Sequence, residues 1–374
     1  MDNPMTTDLI NALRSSLNES LVLYKTRLDT FCVLIVGVLT SRTVNLTHIA
    51  GTFPTRAEVS SNYRRLQRFF EQVKLNYDAI AVFILRLAGL SEGPWLLALD
   101  RTDWKLGKIH INILMLAVAH KGVAIPLMWT VLGKAGNSNT KERTALLSRF
   151  CDQFGADEIA GLTGDREFVG GKWMAFLAKR NIPFMLRIKE NFNVTWDGRL
   201  YTLSCLLRKL KKGRGRRILY DCVLGAKPNK NSPRVHLACK RLDNGELLIL
   251  ATNANPETAL AIYRKRWQIE TLFAACKTRG FNLEDTHMVR SDKIEKLIAA
   301  LAIAFCWAHA TGEWRAKDRR IKIKTHKRKA QSIFRYGFDI LRHLLTTHDP
   351  KAIRLWYAFL QSKPPKTLQP EQAM

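Results

Sequence analysis

Two apolar runs that each stop at an aspartate set the frame for this chain. Trp95-Leu96-Leu97-Ala98-Leu99 leads to Asp100, and Ile159-Ala160-Gly161-Leu162-Thr163-Gly164 leads to Asp165. A short continuous apolar run is what a strand buried on both faces requires, and such a strand needs helices on either side of its sheet. Between the two, Ile109 to Ala119 and Val123 to Leu132 flank Lys121-Gly122 in the manner of a hairpin. Thr140 to Phe150 reads as a helix, and after Asp165 come a helix from about Lys172 to Lys179 and a strand from Phe184 to Ile188. Three strands in succession, then helix and strand in alternation, predict an α/β core with a mixed β-sheet flanked by helices.

The rest of the chain has a different texture. From Leu9 to about Leu90, apolar residues three and four apart predict an all-helical N-terminal domain. Within it, Val44 to Gly51, a break at Pro54, and Ser60 to Phe70 predict a short helix, a turn and a second helix that is basic and aromatic. That pattern suits a DNA-reading module, with Arg64, Arg65 and Arg68 as candidate contacts, and equally an amphipathic helix with a solvated basic face. Between Lys189 and Thr252, Arg217 to Leu224, Arg234 to Cys239 and Glu246 to Ala251 alternate with turn residues, which predicts a β-rich insertion. Arg208 to Arg217 is too basic and Gly-rich to pack, and reads as a phosphate-tracking or merely solvated loop. Helices are expected again from Pro256 to the end of the 340s, and Arg315 to Arg335 holds ten Lys/Arg against Asp318 alone. The expected units are a helical DNA-binding domain (1–92), a catalytic domain (93–189 and 253–312), the insertion (190–252) and a basic helical C-terminal region (313–374).

Charge points to the partner. A formal net charge of +28, spread over the whole chain, far exceeds what solubility requires and implies a polyanion, DNA or RNA before an anionic membrane. The seven cysteines are odd in number and scattered, with no Cys-x-x-Cys pair and no His spacing suited to zinc, so they read as reduced thiols. Met1 to Leu9 lacks a basic region and an apolar run, which argues against a secretory signal. The longest apolar runs, Phe31 to Leu39 and Leu297 to Ala310, fall short of the roughly 20 residues of a spanning helix, so no membrane is expected and the location is read as cytoplasmic.

The chemistry rests on a third acid. An aspartate after a strand caps a turn far more often than it binds a metal, because its carboxylate readily takes nearby backbone N–H groups. The segment after Asn255-Pro256, read as one helix, places Tyr263, Arg266, Glu270 and Lys277 within roughly 60° of one another, at about 100° per residue. Trp267 falls on the same side and Leu272 points the opposite way, toward the core. Pairing of Arg266 with Glu270 at i, i+4 is also a common surface device. Phosphodiester cleavage gives these groups a joint purpose: carboxylates hold a pair of magnesium or manganese ions, and Arg and Lys neutralise phosphate beside them. Tyr263 can donate to a phosphate, and Trp267 offers a surface for an unpaired base.

Tyr263-x2-Arg266-x3-Glu270-x6-Lys277 resembles the YREK signature of the DDE insertion-sequence transposases, specifically the family of insertion sequence four. Leu99-Asp100-Arg101-Thr102-Asp103-Trp104 and Gly164-Asp165-Arg166-Glu167-Phe168 are similar to that family's blocks around its first and second acids. The resemblance spans roughly Trp95 to Gly280. It implies an RNase H-like catalytic domain, in keeping with the strand order, and a DDE triad of Asp100, Asp165 and Glu270 holding two Mg²⁺ or Mn²⁺ ions. It further implies DNA contacts at Tyr263, Arg266, Trp267 and Lys277, cut-and-paste movement through hairpinned ends, a homodimer on the element's terminal inverted repeats and target DNA, and a place on a bacterial nucleoid. A nuclease of the same fold would hydrolyse without joining, and a regulator descended from a transposase would be marked by a lost acid; all three acids are present.

Overall fold

The protein is described from a computed structural model covering residues 4–213, 215–225, 232–325, 327, 329–361 and 367. Arg214 of the expected basic loop, and His326, Arg328 and most of the expected C-terminal region after residue 361, lie outside the described residues.

Five helices open the chain: α1 (Pro4–Asn18), α2 (Lys25–Ser41), α3 (Leu46–Ala50), α4 (Val59–Gln72) and α5 (Tyr77–Leu87). Side-chain caps fix several starts. Asn45 accepts the Thr47 N–H at the head of α3, and Asn76 accepts those of Asp78 and Ala79 at the head of α5. Helix α2 is buried along almost all of Leu28 to Leu39 and forms the centre of this helical part.

The sheet begins with β1 (Trp95–Leu106), β2 (Ile109–His120) and β3 (Val123–Leu132), an antiparallel meander. Next come α6 (Thr140–Phe154), β4 (Ile159–Gly164), α7 (Gly171–Lys179) and β5 (Phe184–Ile188), with β4 parallel to β1 and β5 parallel to β4. Helix α6 starts on a reciprocal cap, in which Asn139 accepts the Glu142 N–H and Glu142 accepts the Asn139 N–H. The insertion supplies β6 (Asn193–Trp196), β7 (Arg199–Thr202), α8 (Leu203–Leu206), β8 (Arg217–Leu224), β9 (Arg234–Arg241) and β10 (Leu247–Thr252). Strand β10 pairs antiparallel with β5, so these strands prolong the sheet begun by β1 to β5. The order is β3-β2-β1-β4-β5-β10-β9-β8-β6-β7, a ten-stranded mixed sheet flanked by helices, consistent with an RNase H-like fold.

Helices cover both faces. Trp95 meets Phe150 and Phe154 of α6 edge-on. On the other face, Thr102 and Met115 lie against α10 (Trp267–Cys276) and α11 (Ser291–Asp318). Helix α11 runs 28 residues, well beyond the apolar run Leu297 to Ala310 visible in the sequence, and is long and apolar enough to cross a membrane. Its most apolar window is 89% buried inside the fold, as befits a core helix.

The helical C-terminal part is interrupted. The described residues between Arg319 and Ser332 are irregular apart from an isolated bridge between Ile323 and Lys329, and helix resumes in α12 (Ile333–Thr346) and α13 (Lys351–Phe359). Ser332 caps α12 by accepting the Arg335 N–H. Helices α11 and α12 cross at a pair of glycines: a Cβ on Gly337 would lie 1.9 Å from Ala308 O and 2.2 Å from Gly312 N. Only a residue without a side chain permits that approach. On the same contact, Phe334 stacks on Phe305 with ring centres 4.7 Å apart, while Phe281, from the turn after α10, meets Phe338 at 5.2 Å.

Candidate active site

Strand register puts the first two acids side by side. Strands β1 and β4 pair in parallel as far as Leu99 and Gly164, so Asp100 and Asp165 are the next residues on neighbouring strands, roughly 4.8 Å apart in the sheet direction. Asp165 stands where expected, one residue past the end of β4. Asp100 does not end its strand: β1 continues to Leu106, paired on that stretch with β2 alone. The charged residues after Asp100 alternate with the buried Thr102 and Trp104, which keeps the strand going.

The third acid arrives on a broken helix. In place of one helix through Lys277, α9 (Pro256–Tyr263) ends in a 3₁₀ turn over Arg264–Arg266, and α10 starts at Trp267. The shared stripe survives the break: a 3₁₀ turn advances by about 120° per residue, so the three steps from Tyr263 to Arg266 complete a turn, and Arg266 meets both the Tyr263 ring and Glu270. Tyr263 is buried, with its hydroxyl unpartnered and its titration pushed up by burial. Arg266 is buried over the Tyr263 ring, with its guanidinium carbon 5.7 Å from the ring centre. Trp267 is 65% exposed and Leu272 is fully buried. Lys277 caps the end of α10; its Nζ donates to Asp103 O at 3.2 Å, pairs with Glu284 Oε1 at 2.8 Å and lies over the Trp104 ring.

Arg266 ties two acids together. Its Nη1 donates to Asp100 Oδ2 at 2.9 Å and its Nη2 to Glu270 Oε1 at 2.7 Å. One buried guanidinium thus lies between carboxylates from β1 and α10, at a position that a metal cation also suits. Burial pushes the Asp100 carboxyl up to about 6, opposed by the Arg101 N–H on Oδ1 and by Arg266. Asp165 adds a buried Oδ1 with no hydrogen-bond partner. A buried carboxylate oxygen left unpaired is costly, and a hard divalent cation is the partner its chemistry fits.

Two further residues of the sequence blocks, Arg101 and Glu167, join the acid-bearing segments. On the opposite face of β1, Arg101 donates from Nε and Nη2 to Glu167 at 3.1–3.3 Å, and reaches Asp103, Asn112 and Asn137 as well. Each member follows an acid closely, Arg101 by one position and Glu167 by two, so the pair braces the two acid-bearing segments against each other. Their place beside the acids in both blocks was the available signal. Farther along the sheet, Arg166 and Arg187 both pair with Glu246, which joins the loop after Asp165 to the start of β10.

The expected DNA contacts outside this cluster divide. Arg64 and Arg68 are exposed on α4. Arg65 is half-buried, donates to Thr30 Oγ1 at 2.8 Å and Thr26 O at 3.3 Å on α2, and covers Phe53. In the basic segment ahead of β8, Arg208, Lys209, Lys211 and Lys212 are exposed, while Arg216 pairs with Glu257 at 2.5 Å.

No curated protein matches the chain. Residues 91–307, more than half of it, match the family described as "Transposase DDE domain", and the matched stretch holds Asp100, Asp165, Glu270 and the whole ten-stranded sheet. Domains of that family use divalent metals and belong to transposases. The chain therefore belongs to the transposase DDE domain family.

Proposed function

We propose that this transposase cleaves the ends of its own element and joins them to target DNA, with Asp100, Asp165 and Glu270 as the acids of its centre and with membership of the insertion-sequence-four family. The observation that carries the reading is the convergence on one point of Asp100 and Asp165, adjacent by strand register, and of Glu270, drawn in through Arg266. Asp100, Asp165 and Glu270 would hold two divalent ions, which activate the attacking oxygen and stabilise the leaving one when bound.

The chain's own residues supply the rest. Arg266, released from either carboxylate, presents a planar fork that fits a phosphate bidentately. Burial of Asp100 and Arg266 excludes water, which strengthens every charge contact at the scissile bond. The exposed indole of Trp267, next to Arg266, offers a stacking surface for a base forced out of a hairpin bend. Tyr263, buried under Arg266, supports the guanidinium from below, and Lys277 stands near the far half of β1 as a point charge for the backbone. Arg64 and Arg68 and the basic segment 208–217 extend the phosphate-binding surface, and a homodimer on the element's inverted repeats would act in cis or in trans. We further assign residues 1–92 to DNA binding, 93–189 and 253–312 to catalysis, 190–252 to an insertion and 313–374 to a basic helical C-terminal region, in a cytoplasmic, nucleoid-associated protein.

The test is direct. The purified protein is incubated with a labelled fragment bearing its element's end, with and without Mg²⁺ or Mn²⁺. Nicked, hairpinned and joined products that require the metal support the reading. Hydrolysis without joining indicates a nuclease, and binding without cleavage a regulator.

A further inference from the structure

The fold assembles a second group of ligating side chains that lie far apart in the sequence. His120 closes β2 at the hairpin turn, and His309 and Glu313 stand one turn apart on α11. Glu313 Oε1 is 3.1 Å from His120 Nε2 and 3.2 Å from His309 Nε2, and the three ligand atoms lie within 4.8 Å of one another. Lys121 Nζ holds the other oxygen, Oε2, at 2.8 Å and so turns Oε1 toward the imidazoles. His309 is 3% exposed, its Nδ1 has no hydrogen-bond partner, and its Nε2 faces the Glu313 carboxylate. Two imidazoles and a carboxylate oxygen held this close in a buried setting are also the arrangement that a shared cation would satisfy.

We propose that His120, His309 and Glu313 form a separate site for a divalent transition ion of the zinc type. Two imidazoles and one carboxylate are a donor set that zinc takes in proteins, and ligands about 2.1 Å from a tetrahedral zinc lie roughly 3.4 Å apart, close to the two spacings here. Imidazole favours zinc over magnesium, which separates this site chemically from the all-carboxylate triad. It is separate in space too. Asp100 stands opposite Met115 on β2, and His120 is five residues farther along, roughly 17 Å at about 3.4 Å per residue. An ion here would pin the β2–β3 hairpin to α11 one turn before that helix ends at Asp318.

The test uses the full-length chain with Asp100→Ala, Asp165→Ala and Glu270→Ala together, so that the triad contributes no ligand. The metal-stripped protein is titrated with Zn²⁺ against a chromophoric chelator, and with Co²⁺ in the visible range. The expected result is one bound equivalent, a tetrahedral Co²⁺ spectrum and a melting temperature raised by zinc. Adding His120→Ala should remove all three, and Glu313→Gln, which keeps shape and packing, should weaken zinc at least a hundredfold. Absence of tight zinc in the triple variant, or unchanged zinc binding after Glu313→Gln, overturns the site. Because no DNA is involved, failure here leaves the proposed strand cleavage untouched, and failure there leaves this site untouched.

Discussion

Replacing Gly337 with alanine tests how tightly the C-terminal helices are locked to the core. In an ordinary helix interior the change would help, by roughly 1 kcal/mol of helix propensity. Here the added Cβ meets Ala308 O at 1.9 Å, Gly312 N at 2.2 Å and Gly312 Cα at 2.6 Å. All three are backbone atoms that cannot rotate aside. To restore ordinary contact, α12 must back away from α11 by roughly 1.5 Å, and a gap of even 0.5–1 Å forfeits a quarter to a half of each dispersion contact it opens. The stacked pair Phe305–Phe334 spans that seam and would lose its fit. Overpacking of this kind costs typically about 1–3 kcal/mol and occasionally more, so the steric term outweighs the propensity gain. A net loss of about 2 kcal/mol, against an unfolding entropy of about 2.1 cal/mol/K per residue over 374 residues, should lower the melting temperature by about 2–3 °C. Calorimetry on wild type and Gly337→Ala measures it, with hydrogen exchange across α12 to localise the loosening. A melting temperature equal to or above that of wild type would refute the contact argument.

Asp100→Ala, Asp165→Ala and Glu270→Ala should each abolish strand cleavage while end binding, read by mobility shift, stays within a few-fold; cleavage near the wild-type rate removes that residue from the triad. Chelation by EDTA should stop cleavage, and added Mg²⁺ or Mn²⁺ should restore it; full activity in metal-free buffer contradicts the mechanism. Trp267→Ala should melt like wild type, since the indole is 65% exposed, and nick normally, but slow hairpin formation about five- to 150-fold, the worth of one base–aromatic stack. Equal loss at every step would mean that the indole has another role. Arg64→Ala with Arg68→Ala should weaken end binding and flatten its salt dependence, whereas Arg65→Ala, tied to Thr26 and Thr30, should chiefly lower stability. An unchanged salt slope in the double variant moves end recognition elsewhere.

Much of this site was legible because strand geometry writes itself into the sequence. A five- or six-residue apolar run bounded by turn residues fits a central strand, and two such runs leading to aspartates place Asp100 and Asp165 at one edge. The second half of β1 was hidden for the converse reason. Past Leu99 it pairs only with β2, so its residues alternate with Arg101, Asp103 and Lys105, and the continuous apolar signal stops. The 3₁₀ turn at Arg264–Arg266 was not legible at all. Arg-Lys-Arg are good helix formers, with no Gly or Pro to mark a break, and the turn goes with Arg266 reaching both Asp100 and Glu270. The same limit applies to α11, whose length depends on burial between β3 and α12 that local patterning does not report.

That β10 hydrogen-bonds to β5 makes the insertion part of a single rigid plank, and a plank measures distance. From β4, which leads to Asp165, the order runs through β5, β10 and β9 to β8, whose first residue follows the basic segment. Four steps at about 4.8 Å give an offset of roughly 19 Å between the acids and that segment. Along duplex DNA, with about 3.4 Å of rise per base pair, this corresponds to five or six base pairs, or half a helical turn. A duplex whose backbone enters the acids would therefore show its opposite side to the lysines and arginines ahead of β8. Because every step of that gauge is a ladder of backbone hydrogen bonds, the offset does not stretch.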